Sequence, residues 1–386
     1  MPVVPSPLET ILADRIQARG RITFAEYMAA CLYEPGYGYY TSPGRKVGAE
    51  GDFYTSSNVH ALFGRLIARE IARMDELLGA PEQFDLVEAG AGNGRLARDI
   101  LDYLCSENPD LYRRLVCRLI ETEPSLAAVQ KEMLGSHAPL VSWSSPAELS
   151  SGALSLTGCI YSNELIDAFP VHLVEMTPDG LREVYVTLRS GVMAEETGEP
   201  STPELAAYLQ RIGITLCEGK RAEINLAASQ WLAAVSGSLR KGFVLTVDYG
   251  YEAVDLFSPA RLGGTLLCYY RHQAEESPYL RPGEQDITSH VDFTTLMKSG
   301  EEAGLTTAWF GEQYRFLLGA GFMEEMMRLE ASDASEEEKL KARLLMKKLI
   351  LPEGGMGDTF RVLVQAKDVP RPRLRCMSDW MNTAAG

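Results

Sequence analysis

Apolar residues recur at helical spacing in two blocks near the start of the chain. Residues 8–19 read as one helix and residues 23–33 as another. The second opens on Thr23-Phe-Ala-Glu26, a capping box in which two side chains satisfy each other's backbone N–H groups, and carries Tyr27, Met28, Cys31 and Leu32. A third stripe of the same period, Leu62, Phe63, Leu66, Ile67, Ile71 and Met74, reads as core. The pattern then changes. Short apolar runs at 84–89, 115–121, about 138–142, 158–163 and 243–249 alternate with helical segments and predict five parallel strands, and runs at about 306–317 and 359–367 predict two late ones. Alternating strand and helix predicts a doubly wound α/β sheet. Residues 171–190 alternate as a hairpin with Pro178-Asp-Gly180 at its turn. Residues 202–240 read as helical. Residues 320–350, rich in Glu, Lys, Leu and Met, read as further helices with a solvated charged face.

The first predicted strand runs into Glu88-Ala-Gly90-Ala-Gly92-Asn-Gly94, and a helical face of Leu96, Ala97, Ile100, Leu101 and Leu104 begins at once. This is strand, tight turn, helix. Glycines let the backbone turn sharply and let a ligand approach it without a Cβ in the way. The helix start adds free N–H groups and a positive dipole end. In the dinucleotide fingerprint the third glycine stands three positions after the second; Gly94 comes one position too early for it, which disfavours a nicotinamide oxidoreductase. With an acid before the first glycine, the passage resembles motif I of class I methyltransferases, whose cofactor S-adenosylmethionine has no pyrophosphate. The resemblance implies that Gly90, Gly92 and Gly94 bind that cofactor and that Glu88 faces its cationic methionine end. The alternative is a glycine-rich turn without a ligand.

A second mark lies at Leu115–Ile120, which ends in Glu121-Thr-Glu123-Pro124. In nucleoside-binding sheets of this kind an acid at the end of the second strand takes the ribose hydroxyls. Glu121 follows the glycines by enough chain for one helix and a short loop. Its other reading is an acid serving the dipole of a helix that Pro124 opens.

Composition limits the partners. The chain has 386 residues, 46% apolar, and a net charge of −16, enough for a large core in one elaborated domain or two. The acidic balance argues against nucleic acid, whose phosphates call for Lys and Arg, and allows a basic protein substrate. Seven scattered cysteines form no C-x-x-C pair, which argues against zinc and fits a reducing compartment. The apolar runs are too short to span a bilayer, and the first residues lack the character of a signal or transit peptide. A cytoplasmic location is the expectation that follows.

Several passages together are similar to the MidA family: Pro35-Gly-Tyr-Gly-Tyr-Tyr40, Gly51-Asp-Phe-Tyr-Thr55 followed by Leu62-Phe-Gly64, the glycine turn itself, Asn163-Glu-Leu-Ile-Asp-Ala-Phe-Pro170, Val247-Asp-Tyr-Gly250 and Asp286-Ile-Thr-Ser-His-Val-Asp-Phe293. The resemblance runs from about residue 8 to residue 367. It implies an S-adenosylmethionine-dependent methyltransferase on a class I, Rossmann-like sheet of seven strands, with a helical N-terminal segment and helical insertions. The family includes a mitochondrial protein arginine methyltransferase acting on a subunit of respiratory complex I, which makes a protein arginine the expected substrate. Gly51, Asp52, Phe53 and Thr55 are expected to form a lid segment over the cofactor, with Asp52 at its amino group and Phe53 covering it. The family's Thr-x-Pro-Glu is replaced here by Thr55-Ser-Ser-Asn58, so the role of that Glu does not carry over to Asn58.

Methyl transfer is an in-line attack on a sulfonium carbon, so the enzyme must hold a nucleophile close and aligned. The fourth strand ends at Asn163-Glu164, and Asp167 comes three residues later. On a helical turn Glu164 and Asp167 share a face, and two carboxylates there could clamp a guanidinium. Asn163, Glu164 and Asp167 are therefore the expected catalytic set; the alternative is a polar helix start capped by Asn163. Asp248 and Tyr249, at the end of the fifth strand, and His290, a general base or a buried structural residue, are the expected substrate contacts. His272, Asp286, His290 and Asp292 are too irregularly spaced to suggest a metal, and transfer to nitrogen needs none. The expected organisation is an N-terminal helical segment with the lid loop (1–80), a methyltransferase core (81–170 and 241–370), an inserted hairpin and helical substrate lobe (171–240 and 320–350) and a tail (371–386). Two other functions stay open at this point: a small-molecule methyltransferase, and an assembly chaperone that binds the cofactor without transfer.

Overall fold

The sheet that the alternation predicts has seven strands in one continuous order, and a short eighth, Val291–Asp292, pairs in parallel with Gly250 and Tyr251. In chain order the seven are β1 (Phe84–Ala89), β2 (Leu115–Ile120), β3 (Val141–Ser144), β4 (Leu156–Asn163), β5 (Leu239–Tyr251), β6 (Thr306–Glu312) and β7 (Phe360–Lys367). The computed structural model describes residues 5–42, 61–271, 273–351 and 359–378. Across the sheet the order is β3-β2-β1-β4-β5-β7-β6. Strands β1 to β5 pair with one another in parallel, and β7 is antiparallel to both β5 and β6. All six residues of β1 are buried, as expected for a parallel strand covered on both faces. Strand β4 comes so close to β1 that a Cβ at Gly158 would stand 2.1 Å from the Asp85 carbonyl oxygen.

Two compact units divide the chain. One holds Tyr54–Leu165, Trp231–Tyr249 and Ser299–Gly386, the other Met1–Phe53, Ile166–Gln230 and Gly250–Lys298. In the sheet unit, the stripe Leu62 to Met74 lies on the helix Leu62–Leu77 and is buried as its period predicts. That helix crosses Arg95–Glu107 closely, since a Cβ at Gly64 would stand 2.6 Å from Asp99 Cβ. The helices Phe322–Ala331 and Glu336–Ile350 belong to this unit, not to the one that holds 171–230. Glu70, fully buried, accepts the backbone N–H groups of Arg375 and Cys376, each at 2.9 Å, and so fixes the last described segment to the helix.

The other unit contains the predicted helices Pro7–Arg19 and Phe24–Tyr33. Both open on capping boxes, Ser6 with Glu9 and Thr23 with Glu26. Its largest sheet is antiparallel and holds the predicted hairpin, His172–Thr177 and Gly180–Arg189, in which Thr177 pairs with Gly180 across a two-residue turn.

Three segments differ from the expectation. The run at 138–142 is divided, because residues 135–140 form a 3-10 turn around Pro139 and the strand starts at Val141. The late run 306–317 stops at Glu312. From Gln313 the apolar residues Phe316, Leu317 and Ala320 take helical spacing and are buried on one face of Gln313–Ala320. Residues 202–240 are not helical throughout: Glu204–Ile212 ends on Gly213 in the left-handed conformation, and Arg221–Ile224 joins the antiparallel sheet beside His172–Thr177. Only then does the helix Leu226–Ser238 follow.

Candidate active site

The register of the parallel strands collects one set of residues at the carboxyl edge of the sheet. Ala89 pairs with Ile120 on one side and Ser162 on the other, and Asn163 pairs with Val247. Gly90, Glu121, Glu164 and Asp248 are the next residues along these four strands, at the edge where open α/β sheets bind ligands. Gly90, Gly92 and Gly94 all have positive φ, 70°, 53° and 83°, a left-handed conformation that side chains with a Cβ rarely adopt. A Cβ at Gly90 would also stand 2.8 Å from Leu165 Cδ1. Gly94 is the N-cap of the helix Arg95–Glu107, so the turn presents backbone and a helix start together.

Glu88 is enclosed beneath this turn. Its strand neighbour Tyr161 donates its hydroxyl to Glu88 Oε2 at 3.1 Å, and the Ala97 backbone in the first turn of the helix adds a hydrogen bond. Burial pushes the Glu88 carboxyl up to about 8 and the Tyr161 phenol well above its ordinary range. Glu121 is half-buried at the end of β2. Its Oε1 accepts the Thr122 N–H at 2.9 Å, and its Oε2 accepts from Gln130 Nε2 at 3.2 Å; burial raises its pKa despite these bonds. Sequence reasoning missed Gln130. Its only signal was a polar residue in helical register with Leu126 and Leu134. It is fully buried and also donates to the Gly92 carbonyl at 2.9 Å.

At the end of β4, Asn163 Nδ2 donates to Glu164 Oε1 at 3.1 Å. Asn163 Oδ1 is buried with no hydrogen-bond partner among the described residues. Glu164 holds a φ of 52°, strained for a residue with a side chain, while its backbone N–H is fixed to the Val247 carbonyl at 2.9 Å. This conformation corrects the expected helical turn. No helix follows β4; Phe169 N–H closes a turn on the Ile166 carbonyl instead. The shared helical face of Glu164 and Asp167 is therefore not formed, and Asn163 caps no helix. Asp167 is buried in the other unit, where its carbonyl accepts the Ser289 N–H at 3.1 Å.

Asp248 is fully buried, and its carboxylate accepts the N–H groups of Leu165 at 3.3 Å and Tyr249 at 2.9 Å. Tyr249 is buried edge-on against Phe360, ring centres 5.6 Å apart. His290 belongs to the other unit, its ring 5.4 Å from that of Tyr251. Burial, with the nearby Arg261 cation, lowers its pKa to about 4, so the ring is neutral at pH 7 and a weak base. Gly51, Asp52, Phe53, Thr55, Asn58 and His272 lie outside the described residues.

A family model described as S-adenosyl-L-methionine-dependent methyltransferase matches residues 66–311. Among curated proteins, the mouse protein arginine methyltransferase NDUFAF7, mitochondrial, is 28% identical over 369 residues, 88% of this chain and 79% of that protein. The human protein of the same name is 26% identical over 92% of this chain and 82% of its own length. A Burkholderia thailandensis protein crystallised with S-adenosyl-homocysteine bound superimposes with a TM-score of 0.86 at 31% identity, covering 98% of each chain. The curated relatives are named as mitochondrial, which overturns the expected cytoplasmic location. Unpaired cysteines report only a reducing environment, and that does not single out one compartment. The residues at the sheet edge fit such a cofactor: a left-handed glycine cradle without Cβ atoms, a carboxylate, Glu121, directly after the end of β2 and a buried amide oxygen, Asn163 Oδ1, still to be satisfied. With well over half of its length under that model, the chain belongs to the family of S-adenosyl-L-methionine-dependent methyltransferases.

Proposed function

We propose that this enzyme methylates the guanidinium of an arginine in a protein substrate. The observation that carries the reading is Glu164, a carboxylate set in strained backbone at the carboxyl edge of β4, directly after Asn163. Strain of this kind persists where the surrounding structure enforces it, and it clusters at functional sites. The names of the curated relatives support the same substrate, and the family resemblance extends it to a subunit of a complex I type assembly.

Bound S-adenosyl-L-methionine supplies the electrophilic methyl carbon on its sulfonium. Gly90, Gly92 and Gly94 would hold its backbone-facing side and Glu121 its ribose. Asn163 Oδ1 offers an acceptor at the reacting end. Glu164 holds a guanidinium by charge-assisted hydrogen bonds. That draws its positive charge toward the carboxylate and leaves the opposite nitrogen richer in electrons for the attack. Asp248 keeps the Glu164 segment in place through the Leu165 N–H, and orientation of this kind supplies much of the catalysis when no covalent nucleophile takes part.

The test uses labelled S-adenosyl-L-methionine, purified enzyme and an extract of the source cell. Label in a protein band that hydrolyses to methylarginine is the expected result. Label confined to small molecules would overturn the reading. Glu164→Gln should abolish transfer while leaving affinity for S-adenosyl-homocysteine nearly unchanged; full transfer in that variant would remove Glu164 from the mechanism.

A further inference from the structure

We propose that Gln130 is a positioning residue of the cofactor site, which ties the glycine turn to Glu121 and sets the direction in which the Glu121 carboxylate meets the ribose hydroxyls. The inference rests on the reading that the turn and Glu121 hold the nucleoside part of S-adenosyl-L-methionine.

Gln130 lies on the helix Leu126–Leu134 between β2 and β3, with none of its surface exposed. Three partners surround its amide. Nε2 donates to the Gly92 carbonyl at 2.9 Å and to Glu121 Oε2 at 3.2 Å. Oε1 accepts the indole N–H of Trp143, on β3, at 2.6 Å. An indole N–H can only donate, so Trp143 fixes which way the amide faces. Reversed, the amide would set N–H against N–H at Trp143 and its oxygen against a carbonyl and a carboxylate. Gln130 also lies beside the turn, since a Cβ at Gly94 would meet its Cα, Cβ and Cγ in ordinary contact at 3.4 Å. One side chain therefore fixes the distance between the turn after β1 and the acid after β2.

The acceptor positions of Glu121 show what this does. Oε1 is taken by the N–H groups of Thr122 and Glu123, at 2.9 and 3.5 Å, and by the Thr122 hydroxyl at 3.4 Å. Oε2 receives Gln130 alone among the described residues. A carboxylate oxygen accepts about two hydrogen bonds, so Oε2 keeps one position for a ligand hydroxyl. The Gln130 bond decides where that position points. A residue that merely filled space here would not couple to the ligand's hydroxyls; one that orients Glu121 must.

Titration calorimetry on the purified full-length enzyme tests this with S-adenosyl-homocysteine and its 2′-deoxy and 3′-deoxy analogues. In the wild type, loss of the hydroxyl that Glu121 receives should weaken binding by about tenfold. In Gln130→Leu, affinity for S-adenosyl-homocysteine should fall by about tenfold, and the hydroxyl penalty should shrink to less than about twofold. A penalty that persists in full in Gln130→Leu overturns the inference. If that variant does not fold, as judged by circular dichroism, Gln130→Met fills a similar volume without the amide and should shrink the same penalty as far; an undiminished penalty there overturns the inference too. Glu121→Gln separates the two layers: wild-type affinity in that variant, with no hydroxyl penalty in the wild type, would overturn the placement of the ribose rather than the role of Gln130.

Discussion

The Asp248 carboxylate, fully buried at the end of β5, accepts the backbone N–H of Leu165 at 3.3 Å. One residue earlier, the Glu164 N–H is held by the Val247 carbonyl of the same strand. Two successive bonds from β5 thus fix the segment that carries the candidate catalytic carboxylate. The sequence suggested a substrate contact for Asp248; its bonds give it a supporting one.

Asp248→Ala should therefore lower kcat more than it lowers cofactor affinity. The change leaves the Leu165 N–H without its acceptor, at a cost of about 1–3 kcal/mol, and lets Glu164 drift. Displacements of about 1 Å are worth up to about a hundredfold in rate. Steady-state kinetics beside calorimetry with S-adenosyl-homocysteine would check the split. An equal loss in both would mean that Asp248 acts on the cofactor side.

The strain at Glu164 has its own signature. At an ordinary exposed position in a helix or strand, alanine is more stable than glycine by about 0.5–1 kcal/mol. At a φ of 52° the order should reverse, with Glu164→Gly more stable than Glu164→Ala by about 1 kcal/mol. Both variants lose the carboxylate, so both should lose transfer. Urea unfolding of the pair measures the difference; the usual order would show that the loop relaxes and that no strain is held there.

Much of this was legible in the chain. The β1 run, the left-handed glycine turn and the strand-end place of Glu121 are legible because strand, turn and helix signals are local: apolar period, left-handed positions and an acid at a strand end all fall within a few residues. The pairing of Glu164 with Asp167 failed for a local reason of another kind, since spacing in sequence matches a helical face only where a helix forms, and a left-handed Glu164 prevents it. Gln130 and the role of Asp248 were hidden because they depend on register between strands and on a helix packing against a turn. Those relationships join residues 38 and 83 positions apart. The segment 202–240 was misread because its helices flank a strand of only four residues, Arg221–Ile224, too short for alternation to show.

Two glycines should respond differently to the same substitution. Gly158→Ala would put a Cβ 2.1 Å from the Asp85 carbonyl oxygen, inside the pairing of β4 with β1. It should prevent folding of the sheet unit, read as loss of soluble protein. Gly94→Ala meets only ordinary contacts at 3.4 Å, from Gln130, but must hold a φ of 83°. It should fold with a loss of about 1–2 kcal/mol and bind S-adenosyl-homocysteine at least about tenfold more weakly. Wild-type affinity in Gly94→Ala would show that the turn does not hold the cofactor.

Glu88 predicts a pH dependence of stability. Its carboxyl titrates at about 8 in the folded chain because burial disfavours the charged form, against an ordinary value of 4.5. Between those values the folded state holds a proton that the unfolded state has released. The neutral carboxyl contributes fully below pH 4.5, and its contribution is lost progressively as pH rises toward 8. Stability should thus fall across that window by an amount on the order of a few kcal/mol. Glu70, raised by burial to about 7, acts in the same direction over a narrower range. Glu88→Gln removes the titration and keeps an acceptor for the Tyr161 hydroxyl, so relative to the wild type it should gain stability steadily from pH 5 to pH 8. Thermal unfolding of both proteins across this range, in the absence of cofactor, gives the comparison. Parallel curves would mean that Glu88 is already ionised in the fold, with Tyr161 and the Ala97 N–H outweighing its burial.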